Sequence, residues 1–219
     1  MTEEEWLVTL DPLEVLPNLC GKPSWRKMRL AAVACCRRMH NLLLDERSHR
    51  AVEAAELYAD KLHSTADILE IEQDATQVVD PFLELVPGRN PNTDAAHCAA
   101  LCLAVWAPAQ WGTYQVFQWS ASAVCRKEQI GILSCVFGVP YRQRRLKIKI
   151  KINPAWLTSD ARLLATGIYN EKAFDRMPIL ADALQDAGCD NDDILNHFRD
   201  ANPTHVRGCW ALDLILGKE

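Results

Sequence analysis

Residues 25–44 read WRKMRLAAVACCRRMHNLLL, and this stretch decides the fold class. Its apolar residues recur at spacings of three and four, which is the period of one face of an α-helix. Ser24 precedes the stretch, and serine is a favoured N-cap residue. The basic residues fall largely outside the apolar face. The pattern therefore predicts a long amphipathic helix that buries this face in a core.

Similar patterns extend along most of the chain. They predict further helices at residues 46–62, 64–79, 94–106, 113–137, 158–170, 172–187, 191–199 and 205–216. Residues 146–152, LKIKIKI, instead alternate between apolar and basic, which is typical of a β-strand with two different faces. We expect a mainly α, helical bundle-like globular protein with one short basic β-strand or hairpin near residues 146–152.

Residues 81–93, PFLELVPGRNPNT, contain three prolines and a glycine, which favour a loop between folded parts. We therefore expect an N-terminal helical part over residues 1–80. A C-terminal helical part over residues 94–219 would carry the basic strand. The two parts could equally form one continuous domain, since 219 residues suit either arrangement.

The composition bounds the location of the protein. The chain has no run of about 18 apolar residues, so we expect no transmembrane helix. It begins MTEEEW, which is acidic where a secretion signal starts with basic residues. These features predict a cytoplasmic protein. Its nine cysteines are then expected to be buried thiols or metal ligands, because disulfides are rare in a reducing compartment.

Two cysteines and two histidines near the C-terminus form the ligand set of a structural zinc site. They are Cys189, His197, His205 and Cys209. His205 and Cys209 are four residues apart, so on one helix they would share a face. The gap between Cys189 and His197 is wider than in usual zinc motifs. The alternative is that all four side chains pack without a metal. The sequence is therefore compatible with two possibilities, a protein without a cofactor and a protein with one structural zinc ion.

The basic residues of two segments are candidate binding residues. The net charge of −5 argues against a protein that coats nucleic acid, yet residues 24–50 carry seven Lys and Arg and residues 142–151 carry six. The candidates are Arg37, Arg38, Arg142, Arg144, Arg145, Lys147, Lys149 and Lys151. A row of cations can follow nucleic-acid phosphates or dock on an acidic protein. Alternatively, the lysines have no binding role and only protect an edge strand from aggregation. The sequence does not decide among nucleic-acid binding, binding of an acidic protein and edge protection.

Trp111 is a candidate for a protein-binding patch. Gln110 and Gly112 flank it in what the pattern predicts to be a turn between two helices. Interfaces favour tryptophan and tyrosine. We therefore expect the side chain of Trp111 to be exposed in the isolated chain.

Several phrases of the sequence resemble an uncharacterised bacterial family of planctomycete-type genomes. They are RLAAVACCRR at residues 29–38, DERS at 45–48, AVEAAE at 51–56, PILADAL at 178–184, GC at 188–189 and HVRGCW at 205–210. The resemblance covers the N-terminal 60 residues and about the last 65. No activity is established for that family, so the resemblance points to related proteins but does not suggest a function.

Together these features predict a non-enzymatic binding or adaptor subunit of a larger intracellular protein assembly, with a protein as its partner. One alternative is a nucleic-acid-binding accessory protein that uses the basic segments 26–50 and 142–151. A third hypothesis is a thiol- or metal-dependent hydrolase, because Cys and His can act as nucleophile and base. The chain has no Walker loop, dinucleotide-binding fingerprint or HExxH motif, which favours the non-enzymatic roles.

Overall fold

The computed structural model describes residues 11–19, 24–85, 91–103, 109–138, 152–200 and 204–218. These residues form eleven α-helices and no β-strand, so the mainly α fold is confirmed. The predicted strand at 146–152 lies outside the described residues. The helices are α1 (Pro12–Val15), α2 (Trp25–Arg38), α3 (Glu46–Ala59), α4 (Thr65–Leu85), α5 (Pro91–Leu103), α6 (Ala109–Ser120), α7 (Arg126–Phe137), α8 (Ser159–Glu171), α9 (Met177–Asp186), α10 (Asp192–Arg199) and α11 (Trp210–Leu216).

Polar side chains fix the starts of several helices. In each case the side chain accepts a hydrogen bond from a backbone N–H of the first turn, which satisfies one of the donors left unpaired there. The capping residues are Asp11 of α1, Ser24 of α2, Asp45 of α3, Thr158 of α8 and Asn191 of α10. The N-cap predicted at Ser24 is therefore confirmed. Helix α2 ends at Arg38, and a short 3₁₀ turn, His40–Leu42, follows it.

Helix α2 lies at the centre of the first hydrophobic core. It contacts α3, α5, α6 and α7, and its residues from Met28 to Cys36 are all buried. This core extends in sequence from Val15 to Val136. Residues on both sides of the predicted boundary at 81–93 therefore share one core, although the division of the chain at that boundary stays a prediction.

The second hydrophobic core is built by helices α8 to α11. Its largest fully buried side chains include Tyr169, Met177 and Phe198. Cys135, near the end of α7, also belongs to this core, and α7 contacts both α2 and α11. Helix α7 therefore joins the two cores. None of the described helices is long and apolar enough to cross a lipid bilayer.

Candidate metal centre

Four sulfur and nitrogen donors meet where α7 reaches the second core. Cys135, His197, His205 and Cys209 each place one ligand atom within 4.8 Å of the others. Three of these residues belong to the zinc ligand set predicted from the sequence. The fourth donor is Cys135 in place of Cys189, which corrects the prediction. The cluster could hold a metal ion.

Three separate elements carry the donors, namely α7, α10 and the loop before α11. Cys135 lies in the last turn of α7, and His197 lies in the last turn of α10. Helix α10 buries Ile194, Leu195 and Phe198 in the second core, which fixes the direction of the neighbouring His197. These contacts make the site a product of helix packing.

His205 and Cys209 lie in the loop before α11. The prediction that they share a helix face is wrong, because α11 begins only at Trp210. A turn between them brings them together instead. Gly208 in this turn has a φ of +88°, and a Cβ atom there would lie 2.9 Å from Leu30 Cδ1. The positive φ favours glycine here, and the close approach of Leu30 leaves little room for a side chain.

Two of the donor distances lie close to those around a tetrahedral ion, and the donors that lie up to 4.8 Å apart would have to close by about 1 Å. His197 Nε2 lies 3.1 Å from Cys209 Sγ, and His205 Nδ1 lies 3.9 Å from Cys135 Sγ. Zinc bonds of 2.0–2.3 Å in a tetrahedron separate the donors by roughly 3.3 to 3.8 Å. Shifts of a few tenths of an ångström would therefore bring both pairs into that range.

The electrostatics of the cluster favour one thiolate. Burial raises the pKa of the Cys135 thiol well above its ordinary value. Burial opposes ionisation of Cys209 as well, but hydrogen bonds with Cys135, His197 and His205 outweigh it and lower the pKa of this thiol well below its ordinary value. Metal ligation requires deprotonated sulfur, so Cys209 is poised as a ligand.

The ring of His205 is incompletely partnered. Its Nε2 atom is buried and has no hydrogen-bond partner among the described residues. A buried polar group without a partner costs about 1–3 kcal/mol. A zinc ion at this cluster would bind the other ring nitrogen, Nδ1, which lies 3.9 Å from Cys135 Sγ, and with two sulfur atoms and a second imidazole that nitrogen makes a donor set that fits zinc.

Cys189 has a different environment. It follows Gly188, which ends α9 with a φ of +87°, and it is buried in the second core. Burial raises the pKa of its thiol, and the backbone of Asn191 hydrogen-bonds to it. Cys189 is therefore a structural thiol, held by the turn between α9 and α10.

The cluster does not have the arrangement of a thiol hydrolase. The Cys209 side chain is 0% exposed, so a substrate cannot reach its sulfur in this structure. Asp213, which could have oriented a histidine, instead binds Arg26, with 2.6 Å between Asp213 Oδ2 and Arg26 Nη1. The nucleophile, base and orienting acid of such an enzyme are therefore not assembled here.

A buried polar network adjoins the metal cluster, and the sequence patterns did not predict it. Arg26 of α2 donates to Asp213 of α11, to Asp60 after α3 and to the Tyr169 hydroxyl of α8. Tyr169 in turn donates to Asp60, with 2.6 Å between Tyr169 Oη and Asp60 Oδ2. Lys27 donates to the carbonyl of Val136 at 2.9 Å. These bonds tie the second core to α2, next to the cluster.

The remaining predicted site residues divide into two groups. Arg37 and Arg38 end α2, where Arg37 forms an ion pair with Glu56 and Arg38 is exposed. Trp111 lies within α6, so the prediction of a turn at this position is wrong, while the exposure of its side chain lies outside what the structure describes. The candidates outside the described residues are Arg142, Arg144, Arg145, Lys147, Lys149 and Lys151.

Comparisons of the chain with protein-family models, with curated proteins and with solved structures find no match. The geometry of the described residues is therefore the guide to function. Within it, the convergence of four metal-binding side chains from distant parts of the sequence is the most specific feature.

Proposed function

We propose that the protein is a non-enzymatic binding or adaptor protein of a larger assembly, and that one structural zinc ion organises it. The ion would be held by Cys135, His197, His205 and Cys209. The observation that carries the zinc part of the proposal is that these four donors lie within 4.8 Å of one another. Two sulfur and two nitrogen donors form the most familiar structural zinc set.

The completeness of the donor set supports a structural role. Four protein ligands fill a tetrahedral zinc ion, whereas catalytic zinc keeps one position open for water or substrate. Three of the four residues are buried, with His197 half-buried. The ion would therefore act on no substrate, and its effect would be mechanical. It would fasten α7 to α10 and to the loop before α11.

The charges of the first basic segment weaken the nucleic-acid alternative. Six of the seven Lys and Arg residues between 24 and 50 bind groups within the protein, which leaves less unpaired positive charge for a nucleic acid. They are Arg26, Lys27, Arg29, Arg37, Arg47 and Arg50. Arg38 is the seventh. The nucleic-acid alternative then depends on residues 142–151, which lie outside the described part of the chain.

Purification of the wild-type protein from its host, without chelators, tests both halves of the proposal. Elemental analysis is expected to find about one zinc ion per chain, because the four donors form one site. Treatment of the purified complex with nuclease is expected to leave the associated proteins in place. Mass spectrometry before and after this treatment provides the comparison.

Each half of the proposal fails on a separate result. Protein that contains no zinc would rule out the structural metal, whatever it binds. Associated material that is released by nuclease would favour the nucleic-acid-binding alternative and rule out the adaptor role. The zinc content does not depend on the partner, so the two results are independent.

A further inference from the structure

A pocket of about 180 Å³ opens between the two cores. Its apolar wall is formed by Leu30 and Val33 of α2, together with Phe174 and Val206 of the second core. Pockets for drug-sized ligands are larger, about 300 Å³ or more. The volume therefore suits a small compound, and the wall can bury an apolar group of that compound.

The polar wall of the pocket has more positive than negative charge. Three cations converge on the single oxygen Oε2 of Glu56: Arg37 Nη2 and Lys172 Nζ at 2.7 Å each, and Arg207 Nη1 at 3.5 Å. Arg38 also lines the pocket and has no ion pair among the described residues. Four cations against one carboxylate leave a formal excess of three positive charges.

A second carboxylate near the pocket, that of Asp60, does not remove this excess of positive charge. Asp60 lies 3.5 Å from Arg207 Nε, but Asp60 also binds Arg26 and Lys218. Each anion of this region is thus shared among several cations. Glu56 itself has only 5% of its side chain exposed, so water contributes little to separating the charges.

One donor of the pocket wall is left unused. Nε of Arg37 is buried and has no hydrogen-bond partner in the described part of the chain, while Nη2 of the same side chain binds Glu56. Guanidinium groups offer a planar fork of donors that matches the oxygens of phosphate and carboxylate groups. The exposed guanidinium of Arg38 presents such a fork to the pocket, and an additional anion there would offset the excess charge.

We propose that this pocket binds a small organic phosphate. Its phosphate group would lie against Arg37, Arg38 and Lys172, and its apolar body against Leu30 and Phe174. A phosphate monoester carries close to two negative charges at neutral pH, which matches the charge excess better than a single carboxylate does. His205 of the metal cluster also lines the pocket, but none of the four pocket cations is a metal ligand, so the phosphate contacts do not require the zinc ion.

Titration calorimetry with phenyl phosphate on the full-length protein tests the inference, with inorganic phosphate and phenol as comparison probes. Phenyl phosphate is expected to bind at least tenfold more tightly than inorganic phosphate, because its ring buries apolar surface. Phenol, which lacks the charge, is expected to show no binding. Arg38→Gln and Lys172→Gln are each expected to weaken phenyl phosphate binding by at least tenfold.

Lys127→Gln is the matched control, because Lys127 is an exposed cation on α7 that does not line the pocket. This variant removes the same charge and is expected to leave the affinity unchanged. Absence of phenyl phosphate binding at millimolar concentration would overturn the inference. An equal loss of affinity in Lys127→Gln and Arg38→Gln would overturn it too, because the attraction would then be a general effect of charge.

Two further readouts keep the inference separate from the zinc site and from folding. The zinc content of Arg38→Gln is expected to equal that of the wild type, since Arg38 is not a donor. Arg38 is exposed, and its replacement is expected to leave the circular dichroism spectrum and the melting temperature unchanged. Wild-type affinity in a folded Arg38→Gln variant would overturn the assignment of this residue to the phosphate site.

Discussion

Replacement of Asp213 by asparagine is expected to lower the free energy of unfolding by about 3–5 kcal/mol. Asp213 is 1% exposed, and it accepts two hydrogen bonds from Arg26, at 2.6 and 3.1 Å. Burial raises the pKa of the Asp213 carboxyl, and the hydrogen bonds from Arg26 oppose this effect. The substitution would leave the Arg26 guanidinium buried with one of its two carboxylate partners removed.

The surroundings of Asp213 explain why the expected loss of unfolding free energy is as large as about 3–5 kcal/mol. Lys27 Nζ lies 3.6 Å from Asp213 Oδ2, so the substitution removes the nearest carboxylate from two cations at once. Asp60, the other carboxylate of Arg26, is also shared with Arg207 and Lys218. No spare negative charge in this network can therefore replace the one that is lost.

Asp182→Asn is the matched control for this measurement. Asp182 and Arg199 form an ion pair of the same 2.6 Å length, but the two side chains are 69% and 37% exposed. An exposed pair contributes about 0–1 kcal/mol, because water screens the charges. Urea denaturation of both variants gives the two changes in unfolding free energy. A loss for Asp213→Asn no larger than that for Asp182→Asn would contradict the account of the buried network.

The second large effect is expected from Cys135→Ser, which should reduce the zinc content from about one ion per chain to nearly none. Serine removes one of the four donors while it keeps the size of the side chain nearly unchanged. The loss of a bound ion also removes its stabilisation of the folded state. That stabilisation is about 4 kcal/mol when free zinc exceeds its dissociation constant a thousandfold.

Cys189→Ser separates the metal effect from the effect of placing a hydroxyl in the core. Cys189 and Cys135 are both 4% exposed and belong to the same hydrophobic core, but only Cys135 lies in the donor cluster. We expect Cys189→Ser to keep its zinc. Melting curves recorded with zinc and with a zinc chelator should therefore differ for this variant and coincide for Cys135→Ser. Loss of zinc from Cys189→Ser alone would mean that the cluster has been assigned to the wrong sulfur, and loss from both variants would mean that a hydroxyl in this core releases the ion without any loss of a ligand.

Local periodicity predicted most of the helices, although it merged α6 and α7 into one segment at 113–137, and it did not predict the contacts among the helices. The apolar spacing in residues 25–44 predicted α2, because that spacing reflects which face of a helix is buried. The same spacing could not tell that α2 is surrounded by helices. Its charged residues Arg26 and Arg29 are buried as well, through partners distant in sequence.

The metal cluster shows the same limit. His197, His205 and Cys209 were predicted because they lie close together in the sequence. Cys135 was missed because it is 70 residues before His205, in an apolar helix where nothing distinguishes it from a core cysteine. The pairing of Arg26 with Asp213 spans 187 residues and likewise has no local signal. Residue type suggested the chemistry, and only the packing of α7 on the second core completed the site.

Zinc K-edge X-ray absorption of the purified wild-type protein tests the central claim most directly, because it counts the atoms bound to the ion. The account predicts two sulfur atoms at about 2.3 Å and two nitrogen atoms at about 2.0–2.1 Å. These would be the donors of Cys135, Cys209, His197 and His205. A shell of three sulfur atoms, a shell of oxygen and nitrogen alone, or the absence of a zinc edge would contradict it.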